Sequence, residues 1–213
     1  MKISWVFDLI SPFSYLSLQQ LSLLPAGTQI ELVPVLFAGL LNHYGHLGPA
    51  EIPAKRRFTY RFVVWRARRM GVTFKMPPSH PFNPLSALRL VIAAGSDRRS
   101  VETAFDFVFG RGRDVADPAV LSDLARELGI GDVQAALNDP GVKQTLRKNT
   151  DWAIARGVFG VPTFVVGDEL FWGHDAIEMA VDYLRDPAGF NDQEMSRIDT
   201  LPPGVTRSRV TPG

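Results

Sequence analysis

The chain has 213 residues, of which 46% are apolar and 21% charged, and its formal net charge is +1. This composition excludes a disordered chain, and the small net charge gives no global field that attracts nucleic acid or a membrane surface. The sequence contains no cysteine, which excludes disulfides, thiolate metal sites and thiol chemistry carried by the protein. We find no signal-peptide pattern and no apolar run of about 20 residues, so we expect a cytoplasmic protein.

The first part of the chain predicts a strand, a helix and a second strand. Residues 3–10 form an apolar run rich in β-forming side chains, which is typical of a buried strand. Ser11 and Pro12 supply a helix N-cap and a first-turn proline, and residues 14–24 have apolar side chains at helical spacing. Residues 28–36 are a second β-like run, and this order of elements builds a parallel sheet.

Helical patterns dominate the middle of the chain. A long loop is predicted over residues 37–52, followed by five or six helices over residues 53–156. Two Asp-Pro pairs predict helices over residues 118–129 and 140–156, because aspartate caps a helix well and proline fits its first turn.

Strand patterns return near the end. Residues 163–172 are two β-like runs around Gly167 and Asp168, which is a strong hairpin signal. A helix is predicted over residues 174–184, and the proline- and arginine-rich residues 186–213 are expected to be extended or partly disordered.

This order of elements is typical of an α/β protein with a thioredoxin-like core and an inserted all-helical domain. Residues 1–36 and 157–185 are assigned to the core. Residues 37–156 are assigned to the loop and helical insertion, and residues 186–213 to the extended tail.

Ser11 is the first candidate functional residue. It lies where a strand leads into a helix N-terminus, and unpaired backbone N–H groups there stabilise an anion such as a thiolate. The Ser11 hydroxyl can donate a hydrogen bond to that anion, whereas without a positioned base it is a poor nucleophile. The plainer interpretation is that Ser11 only caps the helix.

A Val-Pro-Thr sequence after a glycine-rich turn is the second candidate. Thioredoxin-like proteins use such a motif to place a cis proline opposite the active-site helix, and this likeness implies that Pro162 is cis and lies opposite the helix that follows Ser11. Val161 is expected to offer its backbone N–H and C=O groups to an extended ligand, in the manner of a strand. A proline at the first residue of a strand is common and does not by itself indicate a site. The Pro162 motif becomes significant because the same chain also has the Ser11 helix start.

These motifs resemble the 2-hydroxychromene-2-carboxylate isomerase family, which is similar to kappa-class glutathione transferases and to DsbA. The matching segments are residues 7–16, 48–49, 160–163 and 171–175. Redox members of this group have Cys-x-x-Cys where this chain has Ser11 to Ser14, so disulfide exchange is excluded here.

The resemblance implies that the chain binds glutathione, with Ser11 as the catalytic residue in contact with the glutathione sulfur. It also implies that Val161 pairs with the cysteinyl part, and that the turn before the last core helix holds the γ-glutamyl end. There Asp175 is expected to pair with the α-ammonium group, and the N-terminus of the helix with the α-carboxylate. His174 and Ala176 stand where the family has asparagine and arginine.

The segment of residues 42–51 offers further candidates, and Asn42 and His46 are predicted to contact glutathione or the second substrate. His43 and His46 are interpreted as exposed loop histidines, and no metal is predicted, because no cysteine or carboxylate cluster accompanies them. The full predicted cofactor-binding set is Ser11, Phe13, Asn42, His46, Val161, Pro162, Trp172, Gly173, His174 and Asp175.

Seven basic residues and no acidic ones occur in residues 55–69, interleaved with aromatic residues. A nucleic-acid surface has this pattern, but a solvated helix face with the aromatic side chains turned to the core is the favoured interpretation. A third possibility is that some of these bases attract a carboxylate-bearing substrate. Residues 77–83 are expected to form a rim over the cleft, with Phe82 as an apolar wall for the substrate.

Three hypotheses for function follow. The leading one is a glutathione-dependent isomerase of an aromatic-degradation intermediate such as 2-hydroxychromene-2-carboxylate, in which glutathione supplies the nucleophile that this chain lacks. The second is a glutathione transferase or peroxidase of kappa-like type, and the third is a non-catalytic glutathione- or peptide-binding module. A small-molecule substrate and a homodimer are implied by the resemblance, and no nucleic acid or membrane partner is expected.

Overall fold

A single four-stranded sheet lies at the centre of the computed structural model, which describes residues 2–205. The strands are β1 (Lys2–Phe7), β2 (Gln29–Pro34), β3 (Thr163–Val166) and β4 (Glu169–Trp172), in the order β2-β1-β3-β4. β1 and β2 are parallel, whereas β3 runs antiparallel to β1 and β4 antiparallel to β3. The predicted parallel unit and the predicted hairpin are both confirmed, and with them the α/β class.

Ten α-helices are present in residues 2–205, and none of them has the length and apolar composition needed to cross a bilayer. They are α1 (Pro12–Leu18), α2 (Phe37–Tyr44), α3 (Pro53–Arg69), α4 (Leu85–Ala93), α5 (Arg98–Phe105), α6 (Pro118–Glu127), α7 (Val133–Asn138), α8 (Pro140–Ala155), α9 (Ile177–Arg185) and α10 (Gln193–Ile198). A π-helical segment, Asp106–Gly110, continues α5.

The two Asp-Pro helix starts are confirmed. The Asp117 side chain accepts hydrogen bonds from the first backbone N–H groups of α6, and Asp139 accepts one from the Val142 N–H of α8. Each proline then occupies the first helical turn, where its missing N–H leaves no hydrogen bond unmade. Both helix starts could therefore be predicted from the sequence, since capping is a local interaction.

Two predictions for the connecting segments are wrong. The predicted loop over residues 37–52 contains α2, whose first N–H, that of Phe37, donates to the Asp8 carboxylate at 2.8 Å. Gly45 ends α2 in the left-handed region at φ 62°. The tail, predicted to be extended, contains a short 3-10 turn at Pro187–Phe190 and α10, while residues 206–213 lie outside the described part of the chain.

Two other helices differ from prediction at their ends. α1 ends at Leu18 and is followed by a 3-10 turn at Leu21–Leu23, so the predicted helix over residues 14–24 is divided in two. α9 begins at Ile177 and not at residue 174, which leaves His174 and Asp175 in the turn before it. This places both side chains at the edge of the candidate site.

The sheet separates two apolar layers. Ile3, Trp5 and Phe7 alternate along β1 into the larger core, to which most helices of the insertion contribute. Val6 points into a smaller core on the other face, which includes Leu40 of α2 and Ala153 of α8. Every residue of β1 after Lys2 is buried. The end of β1 therefore emerges between two packed layers, and this fixes the start of α1.

Two of the four aromatic side chains of α3 do not turn to the core as predicted. Phe58 and Trp65 expose 69% and 52% of their surface. Val63 and Ala67 are the buried residues of α3 instead, and because they are four residues apart they share one face of the helix. The exposed face of α3 is therefore both aromatic and basic.

Candidate functional site

Ser11 begins α1 and caps it. Its Oγ accepts a hydrogen bond from the Ser14 N–H at 3.2 Å, and its own N–H donates to the Asp8 carbonyl at 3.0 Å. The hydroxyl proton has the Val161 carbonyl oxygen as its described acceptor, at 3.4 Å. That distance is long for an O–H···O bond, which is ordinarily about 2.5–3.0 Å. Capping uses a lone pair of Oγ, so it leaves the proton available to another acceptor.

The loop before β3 meets Ser11 from the opposite side. The peptide bond between Val161 and Pro162 is cis, which confirms that prediction. The Pro162 carbonyl accepts a hydrogen bond from the Gly173 N–H at 2.9 Å, which ties the turn after β4 to the same loop. Three segments distant in sequence therefore converge on the N-terminus of α1.

His174 is buried in that turn between two aromatic rings, and it is only 4% exposed. The Phe13 ring, in the first turn of α1, stacks on the imidazole with centroids 5.2 Å apart. Phe62 of α3 meets the same imidazole edge-on at 6.2 Å. His174 therefore links α1 to α3.

Two charged residues flank the His174 imidazole. The Nε–H of Arg66 donates to Nε2 of His174 at 3.3 Å, and the Asp175 carboxylate lies 3.9 Å from Nδ1. Because the arginine can only donate, Nε2 is the acceptor and the proton of the neutral ring is on Nδ1. Burial lowers the pKa of His174; the Asp175 carboxylate opposes this effect and the Arg66 guanidinium adds to it. The imidazole is therefore neutral near pH 7.

Trp172 forms an exposed aromatic wall at the end of β4. Its side chain is 55% exposed, and its ring meets that of Phe159 edge-on with centroids 5.0 Å apart. A Cβ on Gly160 would overlap the indole nitrogen of Trp172, so the absence of a side chain at this position allows the indole to approach the loop.

Asp8, at the end of β1, is a fully buried carboxylate. One oxygen accepts from the Ile10 N–H at 3.0 Å and the other from the Phe37 N–H at 2.8 Å. Burial raises the pKa of Asp8 to about 7, against the opposing effect of these two donors. Asp8 therefore joins the loop before Ser11 to the start of α2.

His80 supports the same loop from another direction. Its Nε2 lies 2.7 Å from the Ile10 carbonyl oxygen, which can only accept, so Nε2 carries the proton. The Tyr60 hydroxyl of α3 lies 2.7 Å from Nδ1 and 2.8 Å from the His80 carbonyl oxygen. Burial lowers the pKa of His80, which favours this neutral form.

Three predicted site residues make no described contact with Ser11. Asn42 and His46 are exposed at the end of α2 and just beyond it, and no described hydrogen bond or ring contact joins them to Ser11. Phe82 is 7% exposed within the larger core, and its ring contacts that of His80 edge-on. It therefore packs against His80, and its role as a substrate wall stays a prediction. Within residues 2–205 no group of three or more His, Cys, Asp or Glu has a metal-binding arrangement.

Sequence reasoning missed the roles of Asp8, Arg66 and His80. Asp8 interrupts an apolar strand run, which is a usable signal for a buried carboxylate with a specific partner. Arg66 was one of seven bases in a run, and His80 was one of several polar residues on a proline-rich segment. Nothing local distinguishes these two from their neighbours.

Comparisons with known proteins agree with this geometry. The DSBA-like thioredoxin domain family matches residues 2–185. A 2-hydroxychromene-2-carboxylate isomerase of Sphingobium xenophagum is 31% identical over 193 residues, which are 86% of this chain and 98% of the relative. A kappa 2 glutathione S-transferase of Caenorhabditis elegans is 26% identical over 207 residues, which are 87% of this chain and 92% of the relative.

A solved structure of a 2-hydroxychromene-2-carboxylate isomerase superposes with a TM-score of 0.73 at 25% sequence identity. The superposition covers 93% of this chain and 99% of that one. The resemblance noted in the sequence is thus confirmed in both sequence and structure. The chain belongs to the DSBA-like thioredoxin domain family, together with the 2-hydroxychromene-2-carboxylate isomerases and the kappa glutathione transferases.

Proposed function

We propose that this chain is a glutathione-dependent isomerase acting on an aromatic-degradation intermediate such as 2-hydroxychromene-2-carboxylate. The observation that carries the proposal is the Ser11 hydroxyl, which lies at the start of α1 and opposite the cis Pro162 loop, in a chain without cysteine. A chain that has this fold but no thiol of its own needs a nucleophile from outside.

The residues around Ser11 fit a thiol tripeptide. The Ser11 proton is held only by the 3.4 Å contact with the Val161 carbonyl, so donating it to a ligand sulfur breaks no strong bond. The N–H groups of the first turn of α1 favour a thiolate over a thiol at the same point. Val161 would hold the cysteinyl backbone, and Asp175, whose side chain is 78% exposed, would pair with the ammonium group.

When bound, glutathione supplies a thiol nucleophile capable of reversible addition to a conjugated carbonyl compound. Ser11 orients the sulfur and keeps it ionised. Phe13 and Trp172 supply apolar surface beside it, and neither residue carries a titratable group.

The exposed face of α3 is the proposed position of the second substrate. Phe62 connects it to the site through its contacts with Phe13 at 6.1 Å and His174 at 6.2 Å. Arginines on that face attract a carboxylate, and the aromatic rings stack on a planar one. The hollow there has a volume of about 490 Å³ and is lined by Ala54, Arg57, Phe58, Arg61, Phe62 and Trp65.

The similarity to a kappa glutathione transferase supports a second candidate, a transferase that uses the same site. An isomerase returns the thiol, whereas a transferase consumes one glutathione for each product. Following glutathione by thiol titration during turnover of a cis-enone substrate separates the two. A non-catalytic binding module would show glutathione binding without turnover.

Three serine variants test the role of Ser11. The thiolate absorbance of bound glutathione would be titrated for the wild type and for Ser11→Ala, Ser11→Thr and Ser14→Ala. We expect Ser11→Ala to raise the pKa of the bound thiol by about 1 or more, as loss of a hydrogen bond to the charged form predicts. Ser11→Thr keeps the hydroxyl and Ser14→Ala leaves Ser11 in place, so both are expected to resemble the wild type.

Two results would overturn the proposal. A bound thiol with the same pKa in Ser11→Ala and in the wild type would remove Ser11 from the chemistry. Failure of the wild type to bind glutathione at millimolar concentration would remove the thiol on which both enzyme candidates depend. We further propose a cytoplasmic location, where reduced glutathione is maintained, and the homodimer implied by the resemblance stays a prediction.

A further inference from the structure

Arg66 is half-buried and lacks a carboxylate partner within the described residues. Eight other arginines of residues 2–205 form ion pairs with aspartate or glutamate. Of the seven others without such a pair, six are exposed, and the half-buried Arg89 donates to the Leu137 carbonyl. Arg66 instead reaches across from α3 and donates from Nε to the His174 imidazole at 3.3 Å. A partly buried guanidinium that is bonded at one nitrogen to a neutral imidazole still lacks a counterion.

The hydrogen bond from Nε also orients the rest of the guanidinium group. It fixes the plane of the guanidinium, while no described residue accepts a hydrogen bond from the Nη1 or Nη2 atom of Arg66. These two nitrogens present a planar set of donors, which matches the two oxygens of a carboxylate. A lysine side chain ends in a compact ammonium group, which offers no such planar set of donors.

A charge of the opposite sign lies on the other side of the same ring. Asp175 is 3.9 Å from Nδ1 of His174, whereas Arg66 is bound to Nε2. The neutral imidazole therefore separates a cation from an anion. An α-amino acid head group carries one carboxylate and one ammonium group on a single carbon, and is complementary to this pair of charges.

The same cluster is connected to Ser11. Phe13 stacks on His174 at 5.2 Å and belongs to the first turn of α1, which Ser11 caps. A ligand with a thiol at Ser11 and an amino acid head group some atoms away would meet both places. Ala176 offers no cation in this turn, whereas Arg66 brings one to it from α3.

We propose that Arg66 binds the α-carboxylate of the γ-glutamyl residue of glutathione, while Asp175 pairs with the ammonium group of that residue. The inference rests on the proposed function, because it assumes that glutathione is the ligand. His174 is a positioning residue in this arrangement, since it orients Arg66 and does not itself carry charge.

The test compares two thiol tripeptides by calorimetric titration. One is glutathione, and the other is 4-aminobutanoyl-cysteinyl-glycine, which lacks only the α-carboxylate. We expect Arg66→Met to weaken glutathione binding roughly 10- to 100-fold, as for a lost charge-assisted hydrogen-bond pair. It should leave the affinity for the 4-aminobutanoyl peptide within about twofold of the wild type, because no carboxylate remains to be lost.

Two further variants serve as controls. Arg69→Met removes an exposed arginine from the last turn of the same helix and should change neither affinity by more than about twofold. Arg66→Lys keeps the charge but not the planar donor set, and an intermediate loss for glutathione is expected. Unchanged binding of the 4-aminobutanoyl peptide also shows that a variant is folded.

The results that would overturn the Arg66 assignment differ from those that would overturn the proposed function. If Arg66→Met weakens both peptides by the same factor, or weakens neither, the Arg66 assignment is wrong while the glutathione site stands. If the wild type binds neither peptide at millimolar concentration, the proposed function fails and the assignment fails with it.

Discussion

The carbonyl oxygen of Ile10 accepts a hydrogen bond from Nε2 of His80 at 2.7 Å. Ile10 immediately precedes Ser11, so the proline-rich segment that carries His80 holds the backbone at the start of α1. The Tyr60 hydroxyl contacts the other ring nitrogen at 2.7 Å. The position of Ser11 thus depends on a side chain about 70 residues away in sequence.

His80→Phe is expected to lower the free energy of unfolding by about 1–3 kcal/mol, because it leaves the Ile10 carbonyl without its partner in a partly buried site. Urea denaturation of both proteins measures the difference. Tyr60→Phe removes a hydroxyl but keeps the bond from His80 to Ile10, so a smaller loss of about 1 kcal/mol is expected. Equal stability of His80→Phe and the wild type would contradict the supporting role of His80.

Asp8 predicts a specific dependence of stability on pH. Its pKa is raised from 3.8 to about 7 in the folded protein, so the folded state binds the proton more tightly than the unfolded chain. The stability that this carboxyl contributes is fully present below pH 3.8 and is lost as the pH rises through about 7. The asparagine of Asp8→Asn does not titrate. Its amide NH2 group cannot accept a hydrogen bond from the second backbone N–H, and this cost is the same at every pH.

We therefore expect the stability of Asp8→Asn relative to the wild type to increase by about 2–3 kcal/mol between pH 5 and pH 8. Urea denaturation at four pH values gives this difference. The histidines are present in both proteins, so their titration cancels in the comparison. A difference that does not change with pH would show that the Asp8 carboxyl ionises near its ordinary value.

Two buried serines of α1 predict opposite effects of the same substitution. Ser14 and Ser17 are both fully buried, but Ser14 Oγ has no hydrogen-bond partner among the described residues, whereas Ser17 Oγ accepts from the Trp5 indole at 3.1 Å. Ser14→Ala is expected to be neutral or to stabilise by about 1 kcal/mol, and Ser17→Ala to destabilise by about 1–3 kcal/mol. Thermal denaturation of the two variants measures these effects. A larger loss of stability in Ser14→Ala than in Ser17→Ala would contradict the interpretation that only the Ser17 hydroxyl has a hydrogen-bond partner.

Gly173 is expected to resist substitution in the turn between β4 and α9. Its φ is +109°, and an added Cβ would lie 2.5 Å from the Asp175 carboxylate. Gly173→Ala should therefore cost about 1–3 kcal/mol in stability and displace Asp175, which would also weaken glutathione binding. Gly131→Ala is the matched control, because a Cβ there meets open space and its φ is not positive. Similar unfolding midpoints for the two variants would show that the turn tolerates a side chain.

The sequence by itself determined the strands, most of the helices and their order. Apolar runs rich in β-forming residues marked β1 and the hairpin, and the Asp-Pro pairs marked the starts of α6 and α8, because residue composition, turn signals and helix capping are local properties of the chain. The Ser11 helix start and the Val161–Pro162 step were recognisable for the same reason, and they were found to face each other.

Tertiary structure alone decided which side chains complete the site. The bond between Arg66 and His174 joins residues 108 positions apart, and helical periodicity does not state which neighbour a helix face will meet. The same applies to α3, where Val63 and Ala67 face the core while Phe58 and Trp65 are left in solvent. α2 likewise owes its start to the carboxylate of Asp8, the residue after β1, an interaction that exists only once the two segments are packed together.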